Sequence, residues 1–315
     1  MRYTLENDYL KITVSELGAT LVSFIDKLTN TDLVLGFDSD EEYIKCGDYI
    51  GASVGRNANR IGSGRFELNG KQYQLSINNN MNQLHGGVNG FAYQMYKLES
   101  LSDDEIIFNI FSKDGEEGFP GNLNAKVSYK LDKNNLIFSY SGISDKDTIF
   151  NMTNHSYFNL GDENILNQYL HILTDKYSPT DEYALTLDEV KDVSGTAYDF
   201  KESKLIGPNI LSLPTAIDNN YVFENMNDKK MIEYYNDKIE LNVYSDLPDI
   251  HIYTSYFLKP IQGKYQKQYG RYSGICFEAQ YYPNGINYSS YIKPILKANE
   301  EMKHYIKYEV KQYGI

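Results

Sequence analysis

Two stretches place side chains able to move protons on what reads as extended chain. In Asn151-Met152-Thr153-Asn154-His155-Ser156-Tyr157-Phe158, strand geometry puts His155 on one face with Thr153 and Tyr157. Met152, Ser156 and Phe158 take the other face, so the imidazole lies on a polar surface. Histidine is suited to proton transfer near neutral pH. In Gly274-Ile275-Cys276-Phe277-Glu278-Ala279-Gln280, the residues Ile275, Phe277 and Ala279 form one face. Cys276, Glu278 and Gln280 form the other. A glutamate in mid-strand beside Cys and Gln is partly desolvated, which lifts its pKa toward working pH. A solvated edge-strand glutamate is the competing reading.

Three further stretches offer binding groups. Gly55-Arg56-Asn57-Ala58-Asn59-Arg60-Ile61-Gly62 makes a poor strand and a poor helix. It reads as a loop presenting a guanidinium, whose fixed fork of donors suits hydroxyls or carboxylates. A surface ion pair is the alternative. In Asn82-Gln83-Leu84-His85-Gly86-Gly87, the glycines let the backbone approach another group closely. His85 is then either a functional group or a buried structural histidine. Asp218, before Asn219-Asn220, reads most simply as part of a turn and becomes a ligand candidate through its company. Phosphate-loop, HExxH, CxxC and GxSxG patterns are missing, and no spacing suggests a metal site. A carboxyl, imidazoles, a guanidinium and an aspartate can together bind a polyol and move protons on it, with no cofactor or metal.

The elements that must hold these groups are strands. Short apolar runs broken by Asn, Asp and Gly dominate the chain. Phe66–Leu75 reads as a hairpin turned on Asn69-Gly70, the pair favoured in a type I′ turn. Leu136, Phe138 and Tyr140 alternate with polar or smaller neighbours, as do residues 250–254 and 275–280. Period 2 predicts one packed face and one wet face. Ala298–Glu301 reads as a turn. Many short strands without a βαβ rhythm predict an all-β antiparallel sandwich or barrel. With no repeat and no Pro/Gly/Ser-rich linker, residues 1–315 are expected to form one large β domain.

Composition narrows the partners. The chain has 315 residues, 30 Lys plus Arg against 43 Asp plus Glu, and a net charge of −13. Such a surface disfavours nucleic acid and anionic membrane. Two cysteines are too few for a disulfide framework and read as small buried apolar groups. The N-terminus lacks a basic segment followed by an apolar one, and no apolar run nears membrane-spanning length, so a cytoplasmic location is expected. Tyr accounts for 30 of the 44 aromatics, a composition that suits a sugar-lined cleft and that AT-rich codon usage would also produce.

The motifs, in this order, resemble those of the aldose 1-epimerase (galactose mutarotase) family. The likeness runs from Gly18-Ala19-Thr20 and Asp32–Asp38 through Gly55–Ile61, Leu84–Gly87 and Thr153–Leu160. It continues through Pro179–Glu182, Gly195–Phe200, Asp218–Phe223 and Glu278–Pro283. The resemblance implies a large β-sandwich with an open sugar-binding cleft. It also implies interconversion of the α and β anomers of a free hexose such as galactose or glucose, without cofactor, by a monomer or homodimer. Carried over motif by motif, Glu278 is the general base and His155 the general acid. Asn59-Arg60, His85 and Asp218 bind the substrate. His251 stands where family members often carry Gln, which alters contacts to one hydroxyl. Ala216 replaces a usual Gly, Asn219 a frequent His, and Glu278-Ala279-Gln280-Tyr281 a frequent Glu-Thr-Gln-His. The rival readings are a hexose-6-phosphate 1-epimerase, which needs a basic cluster at the far end of the cleft, and a non-catalytic sugar-binding sandwich. A glycosidase would want two carboxylates at the scissile bond.

Overall fold

Alternation of apolar and polar residues builds the larger sheet of the computed structural model, which describes residues 1–313. Leu123–Asp132 and Asn135–Ser144 bury every second side chain, so one face meets the core and the other meets water. They sit in a nine-stranded antiparallel sheet with Glu301–Gln312 beside Asn135–Ser144. A six-stranded antiparallel sheet faces it, with Ile275–Gln280 between Tyr157–Phe158 and Asp249–Tyr253, followed by Asp218–Val222. A four-stranded sheet from Arg2 to Asp32 adds to the sandwich.

The two main sheets close on one another through aromatic side chains. Phe277 stacks on Phe158 at 5.8 Å and meets Tyr234 of the nine-stranded sheet edge-on at 5.3 Å. Phe158 lies 4.9 Å from Tyr308 of that sheet. One connected apolar core runs from Leu5 to Val310. The architecture is the expected large antiparallel β-sandwich.

The hairpin at Asn69-Gly70 forms as predicted, joining Arg65–Leu68 to Lys71–Gln74 with φ of 53° and 74° at the two turn residues. Ala298-Asn299 is a turn, and Glu301 begins the last long strand. The expected wet faces of residues 250–254 and 275–280 are not wet. Ile275–Gln280 is buried at every position, and Asp249–Ile252 likewise. Loops cover the outer face of this sheet, and the space between loops and sheet is where the polar side chains converge. Asp218 is not in a turn but opens the strand Asp218–Val222.

Candidate active site

Register places the central residues. Glu278 and His251 are direct neighbours on adjacent strands. Asp218 lies on the next strand, opposite Tyr253, and reaches His251 with Oδ1 2.7 Å from Nε2. His155 falls between two short paired segments, Thr153–Asn154 and Tyr157–Phe158. Its N–H donates to the Ala52 carbonyl and its own carbonyl accepts from the Gly51 N–H, each at 2.9 Å, so its backbone is pinned on both sides.

The opposite wall comes from the arginine loop. Arg60-Ile61 pairs with Gln83-Leu84, which sets His85 directly after that bridge. Asn59 and His85 hold each other: the His85 N–H donates to the Asn59 carbonyl, and the Asn59 N–H donates to His85 Nδ1, both at 3.2 Å. Gly86 packs so closely on the Gly55 carbonyl that a Cβ there would overlap it, which is the backbone approach the glycine pair foretold. The two arginines have separate duties, and neither makes the surface ion pair. Arg60 faces the cavity, with Nε 3.0 Å from Asn79 Oδ1. Arg56 is buried and donates to Ser112 Oγ and to the carbonyls of Ser112, Lys113 and Pro120, each within 3.0 Å.

Asn59, Arg60, His85, His155, Asp218, His251 and Glu278 all line one cavity of about 390 Å³. That size suits a small ligand. Tyr49, Tyr157, Tyr253 and Phe257 also line it. Tyr157 stood in a recognisable motif, but Tyr49, at a positive φ of 56°, carried no signal in the sequence. His155 Nε2 lies 3.6 Å from Glu278 Oε1, near enough to share one small substrate and beyond a formed hydrogen bond. Glu278 is 1% exposed and its Oε2 has no hydrogen-bond partner among the described residues.

Electrostatics follow from that burial. Desolvation, with the Asp218 charge behind it, lifts the Glu278 carboxyl well above its usual range, against the pull of Arg60. Desolvation lowers His155 to about 4, with its backbone hydrogen bond and Asp218 opposing and His251 adding to the fall. Burial also raises Asp218, but the hydrogen bond and charge of His251, with Arg60 and His155, outweigh it and hold that carboxyl below its ordinary value. Burial thus biases Glu278 toward its protonated form and His155 toward its neutral form.

His85, His155 and Glu278 bring ligand atoms within 4.8 Å of one another, a His₂Glu set of the kind that holds zinc. The hydrogen bonding does not fit a cation. His85 Nδ1 already accepts the Asn59 N–H, so the ring's hydrogen is on Nε2. One nitrogen is occupied and the other is a donor. His85 thus presents an N–H, useful to a substrate oxygen and useless to a metal.

An antiparallel β-sandwich carrying a buried carboxyl and imidazole in a polar, tyrosine-walled cleft has the equipment of an acid–base sugar isomerase. The sequence profile described as Aldose 1-epimerase matches residues 1–309. Galactose mutarotase from Sus scrofa is 36% identical over 314 residues, covering 96% of this chain and 92% of that protein. Aldose 1-epimerase from Escherichia coli (strain K12) is 33% identical, covering 97% and 94%. The crystal structure of an aldose epimerase homologue from C. elegans superposes with a TM-score of 0.93 at 27% identity, over 100% of this chain and 99% of that one. The chain belongs to the aldose 1-epimerase family, and is an enzyme of the isomerase class.

Proposed function

We propose that the whole chain works as a single domain that interconverts the anomers of a free hexose, with Glu278 as general base and His155 as general acid. The observation that carries this reading is the 3.6 Å approach of His155 Nε2 to Glu278 Oε1 inside one sugar-sized cavity. An anomeric carbon bears two oxygens, the C1 hydroxyl and the ring oxygen, and inversion needs one proton taken from the first and one given to the second. Glu278 takes the hydroxyl proton, the C1–O5 bond breaks with its electron pair going to O5, and His155 Nε2 protonates O5. The open-chain aldehyde rotates about C1–C2. Closure on the other face returns the O5 proton to His155 and the Glu278 proton to O1. No proton is gained or lost in the cycle, and the two groups contribute about 10²–10⁴-fold each.

Substrate sets the starting protonation. A C1 hydroxyl donating to Glu278 favours the carboxylate, and a ring oxygen accepting from His155 favours the imidazolium. The sugar draws the shared proton from Glu278 to His155. Arg60 and the His85 N–H hold sugar oxygens and ease charge at the ring oxygen. The ionised Asp218, steadied by His251, accepts from ring hydroxyls, and the tyrosines offer faces for stacking.

A 6-phosphate is the weaker substrate reading. Among the described residues Arg60 is the single Lys or Arg lining the cavity, set against Asp48, Glu182, Asp218 and Glu278. A phosphate end would need a basic cluster there. Polarimetry on freshly dissolved α-galactose, α-glucose and α-xylose tests the assignment. Glu278→Gln should lose mutarotation by at least about 10²-fold while keeping a native circular dichroism spectrum. Retention of most activity would remove Glu278 from the chemistry.

A further inference from the structure

We propose that a second cavity, built around Asp249, binds a small organic cation, with a primary ammonium group at the carboxyl and an apolar body against the walls. This cavity holds about 240 Å³ and shares no lining residue with that of the candidate active site. It lies further along the same outer face of the six-stranded sheet. Asp249–Tyr253 gives His251 to the first cavity and Asp249 to the second, and Asp218–Val222 gives Asp218 to the first and Val222 to the second. Asp249 is 2% exposed, and its Oδ1 accepts the Phe223 N–H at 3.3 Å. The nearby cation, Lys229, donates instead to the carbonyls of Asn225, Asn227 and Leu247, so Asp249 has no ion-pair partner among the described residues. Gln280, with its Cα opposite Asp249, is fully buried, and neither atom of its amide has a hydrogen-bond partner among the described residues.

The rest of the lining decides the class of ligand. Val222, Pro248 and Ile292 are apolar, and the rings of Tyr282 and Tyr291 stack with centroids 3.5 Å apart. The Tyr282 hydroxyl donates to the carbonyls of Leu187 and Glu189, so what that residue offers the cavity is its ring. Among the described residues no Lys, Arg, His or amide side chain lines the space. A polyol carries hydroxyls on every side and would leave most of them without partners here. An anion would meet Asp249 and Glu224 with its own sign. An ammonium ion meets a carboxylate at one end and aromatic rings along its flank, and both attractions are stronger in a place water does not reach.

The charges around Asp249 give the binding a pH signature. Glu224 follows the neighbouring strand and Lys229 belongs to the larger sheet, while Tyr282, Tyr291, Asn220 and Gln280 are neutral. Burial lifts the Asp249 carboxyl to about 7, with the nearby Asn220 amide, the Phe223 N–H and the Lys229 charge opposing and Glu224 adding. A bound ammonium supplies the counter-charge that burial withholds. Below pH 7 it must first expel the carboxyl proton, and above pH 7 it need not, so binding tightens as pH rises through that range.

The test is isothermal titration calorimetry of the full chain with benzylammonium chloride at pH 6 and pH 8, beside neutral benzyl alcohol of the same size, and a crystal structure that places the probe. A single equivalent of benzylammonium should bind, about tenfold more tightly at pH 8 than at pH 6, the ratio of ionised Asp249 at the two values. Benzyl alcohol should bind at least about tenfold more weakly at pH 8, and saturating galactose should leave the titration unchanged. Asp249→Asn keeps the shape and removes the charge; it should lose binding by about tenfold or more together with the pH dependence, and leave mutarotation as it was. Tyr291→Ala should weaken binding severalfold and keep the pH dependence. Equal affinity for benzyl alcohol, displacement by galactose, a probe found only in the first cavity, or native binding by Asp249→Asn overturns the proposal. Should Asp249→Asn not fold, a flat pH response in the native protein or unchanged affinity in Tyr291→Ala overturns it.

Discussion

The nine-stranded and six-stranded sheets obey the same pleat and differ in what covers their second face. Leu123–Asp132 alternates buried and solvent-reaching residues along its length, while Ile275–Gln280 is buried throughout. Each sheet leaves buried polar atoms unpaired, but of different kinds. In the larger sheet they are the hydroxyls of Tyr140 and Tyr308 and the amide oxygen of Asn242. In the smaller sheet they include Glu278 Oε2 and His251 Nδ1, together with both side-chain amide atoms of Asn220 and Gln280. Unpaired ionisable groups are costly to bury, and a fold keeps them where a ligand or its reaction uses them. The larger sheet is scaffold, and the smaller one is scaffold on its inner face and lines the polar cavity with its outer face.

The contrast breaks most visibly on activity. His155→Ala should cut kcat by about 10²–10⁴-fold while the wet face of the larger sheet tolerates change. Polarimetric kinetics decide it: a raised KM with kcat intact would make His155 a binding group. A second outcome concerns stability. Because the folded state holds a proton on Glu278 at pH values where the unfolded chain has released it, this residue costs stability as pH rises above the ordinary carboxylate range. Glu278→Gln should therefore unfold at a higher temperature than the native protein at pH 7, by about 2 °C for each kcal/mol relieved. The gain should shrink toward pH 4, and calorimetry showing the reverse order would contradict the raised carboxyl. His251→Gln should shift the ratio of kcat/KM among galactose, glucose and xylose with smaller loss of rate, since it breaks the 2.7 Å bond that steadies Asp218. An unchanged profile would make His251 structural. Least of all, Lys126→Ala removes an exposed pair with Glu99 on the larger sheet and should change unfolding by no more than about 1 kcal/mol and leave turnover alone.

The same contrast explains what could be read from the sequence. Alternation at Leu136, Phe138 and Tyr140, and the Asn69-Gly70 turn, are local signals, and both elements formed where the pattern placed them. All seven predicted site residues line one cavity; the residue types alone grouped Glu278, His155, His85, Asp218 and an arginine of the Gly55–Gly62 loop as one polyol-binding set, and the family resemblance chose Arg60 and added Asn59 and His251. Period 2 at residues 275–280 identified the faces of Cys276 and Glu278 and by itself predicted a wet second face; the readings of a desolvated Glu278 and a buried Cys276 hold, and the loops that cover that face come from remote parts of the chain. Asp218 was misread for a related reason: Asp-Asn-Asn has turn chemistry, and pairing with Asp249–Tyr253 overrides it. The role of Arg56 was likewise hidden, since its carbonyl partners at Ser112, Lys113 and Pro120 lie more than fifty residues away.

Those Arg56 bonds tie together two parts of the chain that are distant in sequence. The turn spanning residues 113–121 lies outside the cleft's lining, yet three of the backbone oxygens gripped by that guanidinium sit in it or at its edge. Four residues further along, the same backbone delivers Arg60 to the cavity. Insertions or deletions in this turn, which elsewhere on a β-protein would be silent drift, would here tug on the tether of an arm that lines the cavity, so family members that differ in its length are the natural place to look for a reshaped cleft.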